Sequence, residues 1–80
     1  FVVKVEFTGF AAGFVAERIW SPDQQIQKLP DGKIHLSFSA SSKPELVAWL
    51  LSFGDEAQLL EPDWLVEKVK GQVTRMKERY

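Results

Sequence analysis

The chain has no cysteine, and among 80 residues it has one histidine, one methionine and one tyrosine. Without cysteine there is no disulfide framework, no thiolate metal site and no cysteine nucleophile. A lone histidine among scattered carboxylates is poor material for a metal centre, which needs several convergent ligands. No apolar run approaches the roughly 18 residues of a membrane span, and no signal-peptide pattern is visible, so the expectation is a cytoplasmic chain with no membrane partner. An excess of one charge is also missing. Ten Lys and Arg against eleven Asp and Glu leave a net charge of -1, so no overall basic field holds a phosphate backbone against salt.

What is present is a 45% hydrophobic fraction, enough for the core of one small domain spanning residues 1–80. The chain opens at Phe1 inside an apparent strand, without an initiator methionine, and reads as one module excised from a longer protein. The clearest stretch is a hairpin from Gln24 to Ala40. Leu29-Pro30-Asp31-Gly32-Lys33 supplies its turn, with proline presetting φ and Gly32 free to take a positive one. Ile34, Leu36, Phe38 and Ala40 then alternate with His35, Ser37 and Ser39, giving one apolar and one polar face. The preceding arm, Gln24 to Lys28, offers only Ile26 and suits a sheet edge.

Ahead of the hairpin, Phe1, Val3, Val5 and Phe7 alternate with polar neighbours as in a half-buried strand. Thr8 is then placed to cap a helix from Gly9 to Ile19, with Ala11, Val15 and Ile19 on one face. After the hairpin, Ser42 and Glu45 match a capping box, Leu46, Val47, Leu50, Leu51 and Phe53 form an apolar stripe, and Gly54 suits a left-handed stop. Ala57, Leu59 and Leu60 make a fourth strand closed by Pro62. A last helix runs to Tyr80 with Leu65, Val69, Val73, Met76 and Tyr80 along one side. This order predicts an α+β, ferredoxin-like βαββαβ two-layer sandwich with an additional C-terminal helix, its first and third strands central. The stripe on the added helix has no partner left within two layers. It should meet an edge, a neighbouring domain or another copy.

No catalytic constellation is visible, no cofactor is implied, and the expectation is a protein that is not an enzyme. His35 should lie among Ser37 and Ser39 on the open face, with no carboxylate placed beside it by the sequence. Gly9 and Gly13 lack the lysine and hydroxyl of a phosphate loop. Single-stranded RNA can stack on aromatics of such a sheet, but the outward positions here are Lys4, Glu6, His35, Ser37 and Ser39. The stacking platform is missing. In Glu17 to Gln25, Arg18 can either answer the helix dipole and pair with a local acid or offer its planar fork to a phosphate or carboxylate. Trp20 beside it would pack on the rim.

Glu17-Arg18-x-Trp20-x-Pro22-x-Gln24, Leu29-Pro30-Asp31-Gly32, Leu50-Leu51-Ser52-Phe53-Gly54 and Leu59-Leu60-Glu61-Pro62, in that order, resemble the C-terminal extension domain, WCX, of bacterial WYL-domain transcriptional regulators. Ser21 stands where many relatives carry histidine, and Gly13 and Gly71 interrupt helices that are often glycine-free. The resemblance implies a regulatory and dimerisation module that couples ligand sensing by a WYL domain of the same chain, whose effector can be a nucleic acid or nucleotide, to promoter DNA held by a separate helix-turn-helix domain. It further implies that Arg18, Trp20, Gln24 and Gln25 face the WYL domain or its ligand. Two other classes stay open: an ACT-like small-molecule sensor and a single-stranded nucleic-acid binding module.

Overall fold

In the computed structural model, which describes all of residues 1–80, a four-stranded antiparallel sheet and three helices enclose a core of twelve buried apolar residues. The strands are β1 (Val2–Phe7), β2 (Gln25–Lys28), β3 (Ile34–Ser39) and β4 (Ala57–Glu61), in the order β2-β3-β1-β4. β1 and β3 are central, as their alternation requires. Val3, Val5 and Phe7 of β1 face Ile34 and Leu36 of β3 across the buried side, in a register that pairs Val5 with Leu36. Each such side chain gains about 1.5–3 kcal/mol from leaving water. β2 is an edge strand of four residues, and only Ile26 turns inward.

The hairpin turn closes as its residues dictate. Leu29 N donates to Lys33 O at 2.9 Å, Gly32 N donates to Leu29 O at 3.2 Å, and Gly32 sits at φ +88°. Lys33 N donates to the Asp31 carboxylate, an Asx-type contact that a turn aspartate is suited to make.

Helix α1 (Gly9–Ala16) is shorter than the expected Gly9–Ile19. The chain leaves the helix after Ala16, and Ile19 stands 85% exposed instead of continuing the face of Ala11 and Val15. The Thr8 side chain makes no cap bond. That work falls to Glu56, whose carboxylate accepts from Phe10 N at 3.2 Å and Ala11 N at 3.1 Å, while its carbonyl accepts from Thr8 N at 2.9 Å. A carboxylate there satisfies two of the open N–H groups and faces the positive end of the helix dipole. Gly9, at φ +57°, leaves the room: a Cβ would run into the Glu56 carboxylate.

Helix α2 (Lys43–Leu51) begins as a capped helix should, with Ser42 Oγ accepting from Glu45 N at 3.4 Å. Only this half of the capping box is formed. A 3₁₀ turn, Gly54–Glu56, follows from Gly54 at φ +63° and delivers Glu56 to α1. Helix α3 (Asp63–Glu78) ends two residues before the expected Tyr80. Its first turns lie against β4, with Leu65 buried and Val66 and Val69 packed on the core, and its later turns run beyond the buried core. None of the three helices is long and apolar enough to cross a membrane.

Candidate functional site

The segment between α1 and β2 is built by three side chains. Gln24 folds back over it: its amide oxygen accepts from Trp20 N and Ser21 N, and its amide nitrogen donates to Arg18 O at 3.1 Å. Trp20 turns inward and donates its indole N–H to Val15 O at 3.1 Å. Asp23 fastens the segment to the end of β3. Its carboxylate accepts from Ser21 Oγ at 2.6 Å and from Ser39 N at 3.1 Å. The Ser21 hydroxyl, then Ser39, hold the Asp23 carboxyl down at about 2, well below its ordinary value. These bonds favour the ionised form.

Trp20 joins a continuous run of rings. It meets Trp49 at 5.5 Å between centroids and Phe53 at 6.3 Å, and Trp49 meets Phe38 at 5.5 Å, all nearly edge to face. This is the geometry ring quadrupoles favour. At the surface the run ends on α1, where Phe10 and Phe14 lie four residues apart on one side, with Arg18 just past the helix end. Phe10 stacks on Phe14 at 6.5 Å and is 82% exposed. Arg18 lays its guanidinium 3.5 Å over the Phe14 ring and donates Nη1–H to Phe14 O at 2.9 Å. It neither pairs with a local acid nor uses its remaining N–H groups within the chain. A planar cation held flat on a ring keeps its outer edge free for an anionic or carbonyl acceptor.

The four residues read from the sequence as a contact set are thus divided. Arg18 and Trp20 flank Phe14 on the helical side of the sheet. Gln24 is occupied with its own loop. Gln25 opens β2 opposite Ser37, on the polar face turned away from the helices. Phe10 and Phe14 were missed, although their four-residue spacing to each other and to Arg18 was there to read. The second set, on α3, is graded along the helix. Leu65 is buried, Val69 is half-buried against the core, and Val73 and Met76 are 47% and 43% exposed. Tyr80 lies past the helix end, fully in solvent.

On the polar sheet face, His35 does have a carboxylate partner. The register sets Glu6 opposite His35, and Glu6 Oε2 lies 2.9 Å from His35 Nε2, with Lys33 Nζ 3.8 Å from the other Glu6 oxygen. The sequence could not show this because it depends on how β1 and β3 align. The group couples two strands, and no set of three or more metal-ligating side chains converges anywhere in the chain.

A search among curated proteins finds no match to the chain. Comparison with protein families finds one that covers the chain almost from end to end. Residues 1–77 match the WCX domain, and the chain belongs to that family of regulatory accessory domains.

Proposed function

We propose that this domain is a non-enzymatic accessory module of a cytoplasmic WYL-type transcription regulator. It docks on the WYL domain of the same chain and contributes to dimer contacts. In this way it relays occupancy by a nucleic-acid or nucleotide effector to a helix-turn-helix domain that alone touches promoter DNA. The order β2-β3-β1-β4, with α1 after β1 and α2 after β3, supports reading the scaffold as a ferredoxin-like sandwich.

The observation that carries the proposal is the ridge of Phe10, Phe14 and Arg18, an aromatic surface ending in a cation with unused donors on a chain of the WCX family. Exposed aromatic and arginine side chains side by side are the usual makings of an interface hot spot. Titration of the labelled WYL domain into this domain tests it. Binding should weaken at least about tenfold on Phe10→Ala or Arg18→Ala. Unchanged binding of both variants, or specific binding of duplex promoter DNA by this domain alone at physiological salt, refutes the proposal.

A second reading, small-molecule sensing, is favoured by a cleft of about 320 Å³ walled by Trp20, Phe38 and Trp49, with Ser42 and Glu45 at the start of α2. The buried indole N–H of Trp49 has no hydrogen-bond partner within the chain. Calorimetry with amino acids and nucleotides tests this: heat that disappears on Trp49→Phe supports sensing, and no heat refutes it.

A further inference from the structure

Gly71 stands in the middle of α3, where glycine weakens a helix more than any residue but proline. What it leaves open is the floor of a groove of about 650 Å³ between α2 and α3. Lys68, Gly71, Gln72 and Arg75 line it from one face of α3, at intervals of three, one and three. Lys43 and Val47 line it from α2. A Cβ at Gly71 would lie 3.3 Å from Arg75 Nη1 and meet no other side chain within 4 Å. The Arg75 side chain therefore runs back along the helix, over the bare backbone at Gly71 and toward Lys68.

The charge in this groove is one-sided and unused. Three cations, Lys43, Lys68 and Arg75, stand against one acid, Glu67, in a chain whose acids outnumber its cations. Glu67 already faces Lys70, at 3.6 Å, which lies outside the groove. None of the three cations forms an ion pair within the chain. Lys43 is steadied only by the Trp64 ring, 5.6 Å from its Nζ. Like charges gathered without counter-charges repel one another, and an anion among them relieves that repulsion.

We infer that the groove seats a phosphate group over Gly71, taken by the planar fork of Arg75 and by Lys68 and Lys43 as point charges from two helices. A helix bearing carboxylates suits it less. Such a helix needs an apolar seam to rest on, and with Leu65 buried the groove offers only Val47 and Ala48. A phosphate needs charge from several sides and no seam. A free nucleotide and a nucleic-acid strand both carry that group, and the arms of the test separate them. The site shares no residue with the ridge of Phe10, Phe14 and Arg18, so it goes beyond the docking role proposed above.

The test uses the 80-residue chain with two fluorescent probes, a short single strand of thymidines and an ATP analogue, each followed by anisotropy. Binding should be present at low salt and fall as salt rises. Arg75→Gln and Lys68→Gln should each weaken it about tenfold, and Lys70→Gln, outside the groove, by less than about twofold. Gly71→Leu should raise Tm, since leucine suits a helix interior better, and yet weaken binding about tenfold by filling the floor. Tighter binding of the ATP analogue assigns the groove to a free nucleotide, and tighter binding of the strand assigns it to nucleic acid. No binding of either probe at low salt overturns the inference. So does a glutamate-rich peptide that binds as tightly as the better probe, an equal loss on Lys70→Gln, or full binding by Gly71→Leu. Intact binding of the WYL domain alongside any of those results removes only this inference and leaves the module reading standing.

Discussion

Replacing Glu56 by alanine should destabilise the domain by about 1–2 kcal/mol, through a helix that Glu56 does not belong to. The side chain closes two backbone N–H groups of α1, one at the surface and one part-buried. Loss of a good helix cap costs about 0.5–2 kcal/mol, and the carboxylate adds about 0.3–1 kcal/mol by facing the dipole. A domain of this size loses about 4–8 °C of Tm per kcal/mol, so the expected fall is about 5–15 °C. Glu56→Gln keeps one acceptor oxygen and loses the charge, and should fall about halfway between. Gly9→Ala sharpens the test, since its methyl would strike the same carboxylate and its backbone is already at φ +57°. Part of its cost should therefore vanish once Glu56 is alanine. Urea titrations of the two single variants and the double variant measure this directly. If the two costs add to within about 0.3 kcal/mol, or if Glu56→Ala leaves Tm unchanged, the cap described here is wrong.

Asp23 makes stability depend on pH in one direction. Its carboxyl sits at about 2 when folded and at 3.8 ordinarily, so its contribution is complete above 3.8 and is lost as pH falls through about 2. Asp23→Asn should flatten that acid limb in urea titrations between neutral pH and pH 2, and an unchanged limb would contradict the assignment. Trp20→Phe keeps a ring in the cluster and loses the bond to Val15 O, a cost of about 1 kcal/mol. Trp20→Ala also leaves a gap among Phe14, Trp49 and Phe53 and should cost about 3 kcal/mol, seen as a lower urea midpoint. Arg18→Ala removes an exposed contact with Phe14 and should shift stability by less than about 1 kcal/mol, so a larger fall in Tm would mean the side chain serves the fold.

The legible part of this fold was local. Alternation in Val3, Val5 and Phe7, the Pro30-Asp31-Gly32 turn, Ser42 ahead of α2 and the stop at Gly54 each act through neighbours within a few residues. From these the central places of β1 and β3 followed. What the sequence hid depends on partners far along the chain. Glu56 caps α1 from 45 and 46 residues away, a better acceptor than the adjacent Thr8, and no spacing rule connects the two. Glu6 meets His35 only because Val5 pairs with Leu36. Helix α1 stops at Ala16, and the chain beyond it is closed into a loop by Trp20 and Gln24, whose partners lie up to six residues away. For the site, Arg18 and Trp20 were readable as a pair. The split between Gln24 and Gln25 was not, since Gln24 folds back into its loop while Gln25 opens β2 on the polar face.

The brevity of β2 bears on how copies of this domain can gather. Its outer border is four residues long, carries Gln25, Gln27 and Lys28, and passes directly into the Pro30 turn. A border of that kind is a poor template for another chain's backbone, so this side of the sheet is closed to the addition of a further strand.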